Sequence, residues 1–114
     1  MLDDRTKTIM LYDFYGALLT DRQREYVQLH FLEDCSLMEI AQEYSVSRQA
    51  VHDALKRAEI VLSDFETKLR LFERWGLEKE MLLELNRELH KRPGNIDLGK
   101  CRALIRAVLE DGGE

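Results

Sequence analysis

From Val51 onward the apolar residues Val51, Leu55, Ala58, Leu62, Phe65, Leu69 and Phe72 are separated by alternating steps of four and three. Such spacing runs a heptad stripe along one side of an α-helix. It predicts one helix of about 27 residues starting at Arg48, on the order of 40 Å long, with Gly76 as the residue that ends it. The short helices before it cannot cover its whole length. Phe65, Leu69 and Phe72 are therefore expected to form a packing or dimer seam, closed by later helices of the same chain or by the long helix of a second copy.

The rest of the chain carries the same kind of pattern. Ile9, Leu11, Tyr12, Phe14, Tyr15 and Leu18 recur at helical spacings after the acidic pair Asp3-Asp4, which suits the positive end of a helix. Thr20-Asp21-Arg22-Gln23 matches a capping box and opens a second helix with Tyr26, Val27, Leu29, His30 and Phe31 in its apolar half. The polar run Glu33-Asp34-Cys35 breaks the pattern, and Ser36-Leu37-Met38-Glu39 is a second capping box, starting a short third helix that runs to about Tyr44. Ser47 can cap the long fourth helix. Leu77, Met81, Leu82, Leu85 and Leu89 mark a fifth helix that stops at Lys91-Arg92-Pro93-Gly94. Asp97 can cap a sixth, which carries Leu98, Cys101, Leu104, Ile105, Val108 and Leu109.

These elements predict an all-α protein. Its length favours a single domain over residues 1–114, with a helix-turn-helix core at 1–62 and a long-helix extension with C-terminal helices at 63–114.

Residues 36–57 have the pattern of a helix-turn-helix. Ala41 is small where two helices must cross closely, while Ile40, Tyr44, Val46, Val51 and Ala54 are placed to lock the pair. Ser47, Arg48, Gln49, His52, Asp53, Lys56 and Arg57 then face outward. In a major groove Arg48 could read guanine, Gln49 adenine, and Lys56 and Arg57 could meet phosphates. Ser47 reads more simply as the helix cap, Arg48 and Gln49 would look the same as ordinary solvated residues, and for Lys56 and Arg57 a charged surface face is the commoner explanation. Asp53 would be repelled by a phosphate backbone, although it could accept from cytosine. Across this segment Arg48, Lys56 and Arg57 are balanced by Glu39, Glu43 and Asp53.

The formal charge of the whole chain is −5, which argues against holding nucleic acid by bulk electrostatics. No stretch has the length of apolar sequence a membrane span needs, and Met1-Leu2-Asp3-Asp4 lacks the order of a secretion signal, so a cytoplasmic protein is expected. Cys35 and Cys101 stand alone, without a CxxC or paired histidines. They are expected to be reduced thiols rather than metal ligands. There is no phosphate loop, HExxH or nucleophile motif, so neither enzyme activity nor a cofactor is expected. His30 falls on an apolar face as a core or boundary residue, and His90 lies near a helix end.

Phe14-Tyr15-Gly16-Ala17-Leu18-Leu19-Thr20-Asp21, Ser36-Leu37-Met38-Glu39-Ile40-Ala41 and Val46-Ser47-Arg48-Gln49-Ala50-Val51 together resemble the YlxM family of small bacterial proteins. The likeness covers residues 9 to about 75. It implies a fold like region 4 of bacterial sigma factors and a regulatory role linked to the signal recognition particle pathway. The particle's GTPase, its RNA or a DNA site would then be the candidate partners. Glu39, Ile40, Ala41, Val46, Ser47 and Arg48 match the sigma-like motif. Ser45 departs from it where glycine is usual, at a cost of order 1 kcal/mol for a left-handed turn, and Asp53 departs again. Three readings stay open: an accessory factor of protein targeting, a sequence-specific DNA-binding regulator, and a structural dimer that binds no nucleic acid.

Overall fold

The computed structural model describes residues 3–112, with side chains through Glu110. Met1 and Leu2, part of the N-terminal reading above, lie outside the described residues. The helices are α1 (Asp4–Tyr15), α2 (Asp21–Val27), α3 (Leu37–Tyr44), α4 (Arg48–Leu69), α5 (Leu71–Leu89) and α6 (Leu98–Gly112), with no strand among the described residues. They form two compact units that divide at Arg70.

In the first unit, α1 to α4 enclose a core of Leu11, Tyr15, Leu19, Tyr26, Val27, Ile40, Ala41, Val51, Leu55, Ala58 and Leu62. Each helix start expected from sequence is capped. Asp3 accepts from the Thr6 amide. Thr20 with Gln23, and Ser36 with Glu39, exchange bonds in both directions as full capping boxes.

Two side chains of α1 tie its ends to other elements. The buried Tyr15 hydroxyl donates to Glu66 Oε1 of α4 at 2.6 Å, and its ring stacks on Phe65 with centroids 6.0 Å apart. Arg5 closes the far end of α2, which widens into a π-helical turn at Gln28–Leu32 and stops at Asp34, φ 58°. Its guanidinium donates to the carbonyls of His30 and Phe31 and to the Asp34 carboxylate, and it lies over the Phe31 ring. Carbonyls at a helix end have no partner within the helix, so a donor fork from another helix satisfies them.

The expected single helix through residue 75 is interrupted. Arg70 takes a left-handed conformation, φ 55° and ψ 31°, and its amide donates to the Glu66 carbonyl at 2.8 Å, ending α4. Gly76 does not end a helix but lies within α5, with open space around it. Left-handed backbone at a non-glycine residue costs about 1–2 kcal/mol, and glycine inside a helix about 1 kcal/mol. Both costs are small enough for packing to override. Of the anticipated seam, Phe65 is half-buried on α4, Leu69 is exposed, and Phe72 lies beyond the break on α5.

In the second unit, α5 and α6 form an antiparallel hairpin joined through a tight turn at Pro93–Asn95. A buried carboxylate clasps it. Glu88 Oε2 accepts from the Asp97 amide at 2.9 Å, and Oε1 accepts from Lys91 at 2.9 Å and faces Lys100 at 3.6 Å. Asp97 caps α6 by accepting from the Lys100 amide. Lys100 also pairs with Glu84.

Candidate partner-binding helix

The turn between α3 and α4 is built from Ser45. It sits at φ 55°, ψ 44°, its amide donating to Gln42 and that of Val46 to Ala41, which is the hydrogen-bond pattern of a Schellman motif. A serine therefore stands where a glycine would be unstrained. Ile40 and Ala41 of α3 and Val51 of α4 are buried where the helices meet. Tyr44 fastens α3 to α2 by an edge contact with Tyr26 and a bond from its hydroxyl to Glu25. Val46, expected in this lock, is instead exposed, because the left-handed turn directs it outward.

Ser47 accepts from the Ala50 amide at 3.0 Å, so its hydroxyl is the helix cap. Arg48, Gln49, Asp53, Lys56 and Arg57 are exposed along the first turns of α4. Gln49 is not independent: its Nε2 donates to Asp53 Oδ1 at 2.9 Å, one turn along. His52 Nδ1 lies 3.4 Å from the same oxygen. The bond from Gln49, and then the His52 contact, hold the Asp53 carboxyl below the usual carboxylate range. Lys56 lies 4.0 Å from Glu59. The face thus combines exposed guanidiniums at Arg48 and Arg57 with a fixed anion at its centre.

His52 is half-buried and looks aside from this face. It borders a cleft of about 220 Å³, lined by His30, Phe31, Leu37, His52, Leu55, Lys56 and Glu59. His30 reaches there from the π-helical turn of α2, where its Nδ1 lies 2.9 Å from the Cys35 carbonyl. A carbonyl can only accept, so Nδ1 carries the proton. That His30 and His52, from separate elements, border one cleft was beyond sequence spacing. Nearby, burial, reinforced by Glu39, Glu33 and Glu43, pushes the Cys35 thiol up, the opposite of what a nucleophile needs.

A short helix crossing a capped second helix through a tight turn, with the second helix exposing its N-terminal side chains, makes this a helix-turn-helix protein. Among the described residues, no helix is long and apolar enough to cross a membrane. Comparison with known proteins narrows the class. Residues 2–99 match the family described as "Putative helix-turn-helix protein, YlxM / p13 like". The chain is 44% identical over 110 residues to a UPF0122 protein of Anoxybacillus flavithermus, covering 96% of each. It is 46% identical over 107 residues to a UPF0122 protein of Bacillus velezensis, covering 94% of each. A UPF0122 protein of a Geobacillus species is 49% identical over 85 residues, covering 75% of this chain and 77% of its own. The chain belongs to the UPF0122 family, the YlxM-like helix-turn-helix proteins.

Proposed function

We propose that the protein is a non-enzymatic regulatory or accessory factor of the signal recognition particle pathway, working in the cytoplasm through contacts of its helix-turn-helix. The pathway comes from the family resemblance and the mode of action from the site. The observation that carries the mode is the bond from Gln49 to Asp53. It commits an amide hydrogen of the main candidate base reader to an anion placed where phosphate would approach. Gln recognises adenine by donating and accepting at once, and a neighbouring carboxylate both competes for the donor and repels the backbone. A protein surface imposes no such conflict. The first choice of partner is therefore the particle's GTPase, with Arg48 and Arg57 as charged contacts.

The runner-up is a DNA-binding regulator that uses Ser47, Arg48, Gln49, His52, Lys56 and Arg57. The capped N-terminus of α4 favours it, since groove-reading helices present that end to bases.

Titration against the purified GTPase, its RNA and duplex DNA, each at low and high salt, separates these readings. Binding to the GTPase that weakens only modestly as salt rises, as two charged contacts would make it, is the expected result. Binding only to nucleic acid, falling steeply as salt rises, would replace it with the second reading.

A further inference from the structure

We infer that the α5–α6 hairpin is half of a four-helix bundle, completed by the hairpin of a second copy of this chain. This goes beyond the proposed function and uses a different surface from the helix-turn-helix.

The hairpin has too little interior of its own. Among its described side chains only Cys101 and Glu88 are buried. Two helices with so small a core lack the buried area that holds a domain together.

The missing interior is visible on one side. Along α5, Leu71, Trp75, Glu78, Leu82, Leu85 and Leu89 follow steps of four and three, a heptad stripe. Leu71, Trp75, Leu82 and Leu89 are exposed, as are Leu98, Ile105 and Leu109 along α6, from 38% at Trp75 to 69% at Leu109. At about 100° per residue, each exposed stripe lies roughly a quarter turn from the stripe its helix turns toward the other. Because the helices run antiparallel, equal offsets in sequence place both stripes on the same side of the hairpin. The Glu84–Lys100 pair, offset the other way on both helices, meets on the opposite side.

The shape of this face calls for a helix. Trp75, Glu78, Lys79, Leu82 and Leu83 line a hollow of about 270 Å³. The first four stand at i, i+3, i+4 and i+7, the diamond that receives one side chain of a facing helix in knobs-into-holes packing. The seven exposed apolar residues present on the order of 600 Å². With flanking side chains, this approaches the roughly 800 Å² that each partner contributes to a stable interface. A two-fold axis applies the same face to itself, so one heptad stripe meets another of matching repeat. The flanks carry both signs, Glu78 on α5 and Arg102 and Arg106 on α6, so self-pairing sets no single-signed surface against its like.

Sedimentation of the full chain at micromolar concentration, with the single tryptophan as a reporter on the face, provides the test. The wild type is expected to be a dimer. Leu82→Glu with Ile105→Glu is expected to give a monomer whose Trp75 emission shifts to longer wavelength and whose first unit keeps its hydrogen-exchange protection. Ala103→Glu, the same charge at an exposed position of α6 turned away from both α5 and this face, should remain dimeric. A monomeric wild type, a dimer that survives the double substitution, or an Ala103→Glu variant that dissociates equally would each overturn the inference.

Discussion

Gln49 and Asp53 are joined across one turn of α4, Nε2 to Oδ1 at 2.9 Å, on the face where a helix-turn-helix would meet a nucleic acid. The bond turns an acidic substitution in the motif into a local lock, because the carboxylate both repels phosphate and holds the neighbouring amide.

Replacing Asp53 should release both effects. Asp53→Lys adds a positive charge and frees Gln49, so salt-dependent binding to duplex DNA or RNA is expected to rise, with the salt slope steeper by about one phosphate contact. Filter binding across a salt series measures it. An unchanged slope would mean that this face of α4 does not approach nucleic acid even when its charge allows it.

Ser45 holds a left-handed turn that glycine would adopt without strain. Relief of about 1–2 kcal/mol is partly offset by the greater freedom of glycine in the unfolded chain. Ser45→Gly should therefore stabilise the protein by up to about 1 kcal/mol. Ser45→Val should destabilise it, since a β-branched side chain is crowded there. Urea denaturation of the two variants should bracket the wild type.

Tyr15 joins the end of α1 to α4 through Glu66. Tyr15→Phe keeps the ring against Phe65 but removes a bond to a carboxylate, and should cost about 1–3 kcal/mol. Leu62→Ala, in the same core, opens a cavity and should cost about 2–5 kcal/mol. Thermal melts of the full chain should place the second variant below the first.

The Glu88 clasp predicts a pH dependence of the hairpin. The Asp97 amide, then Lys91 and Lys100, hold this carboxyl below its ordinary value, so the folded state favours the ionised form. Its contribution is complete above the ordinary glutamate range and is lost as pH falls through the lowered folded value. The protection of α5 and α6 amides, taken relative to their intrinsic exchange rates at each pH, should fall on acidification below about pH 4.5, the ordinary value. Glu88→Gln should weaken the hairpin at neutral pH and flatten that dependence.

The local elements were legible because their signals are local. Thr20, Ser36, Ser47 and Asp97 each cap the helix that their spacing announced, since a side chain three residues from an orphan amide needs no tertiary partner to find it. The helix-turn-helix and the left-handed turn at Ser45 follow from the same short-range rules, although that turn carries Val46 out of the lock its spacing announced. The sequence pattern also placed Gln49 and Asp53 on one helix, four residues apart, but did not show that they bond. That required rotamers.

Tertiary structure alone decided the rest. The heptad stripe from Val51 to Phe72 is continuous in sequence, yet Arg70 breaks it, because apolar spacing records which side of a helix is buried and not whether the backbone stays helical between two stripes. Arg5 on the π-helical turn, Tyr15 on Glu66 and Glu88 at the heart of the hairpin are contacts between residues brought together by packing. A polar group aimed at a distant partner leaves no period behind. What the residues of this protein determined alone was therefore its helices and their caps. Which helices share a unit, and which polar groups close them, was settled by the balance of burial against backbone costs of only about 1–2 kcal/mol.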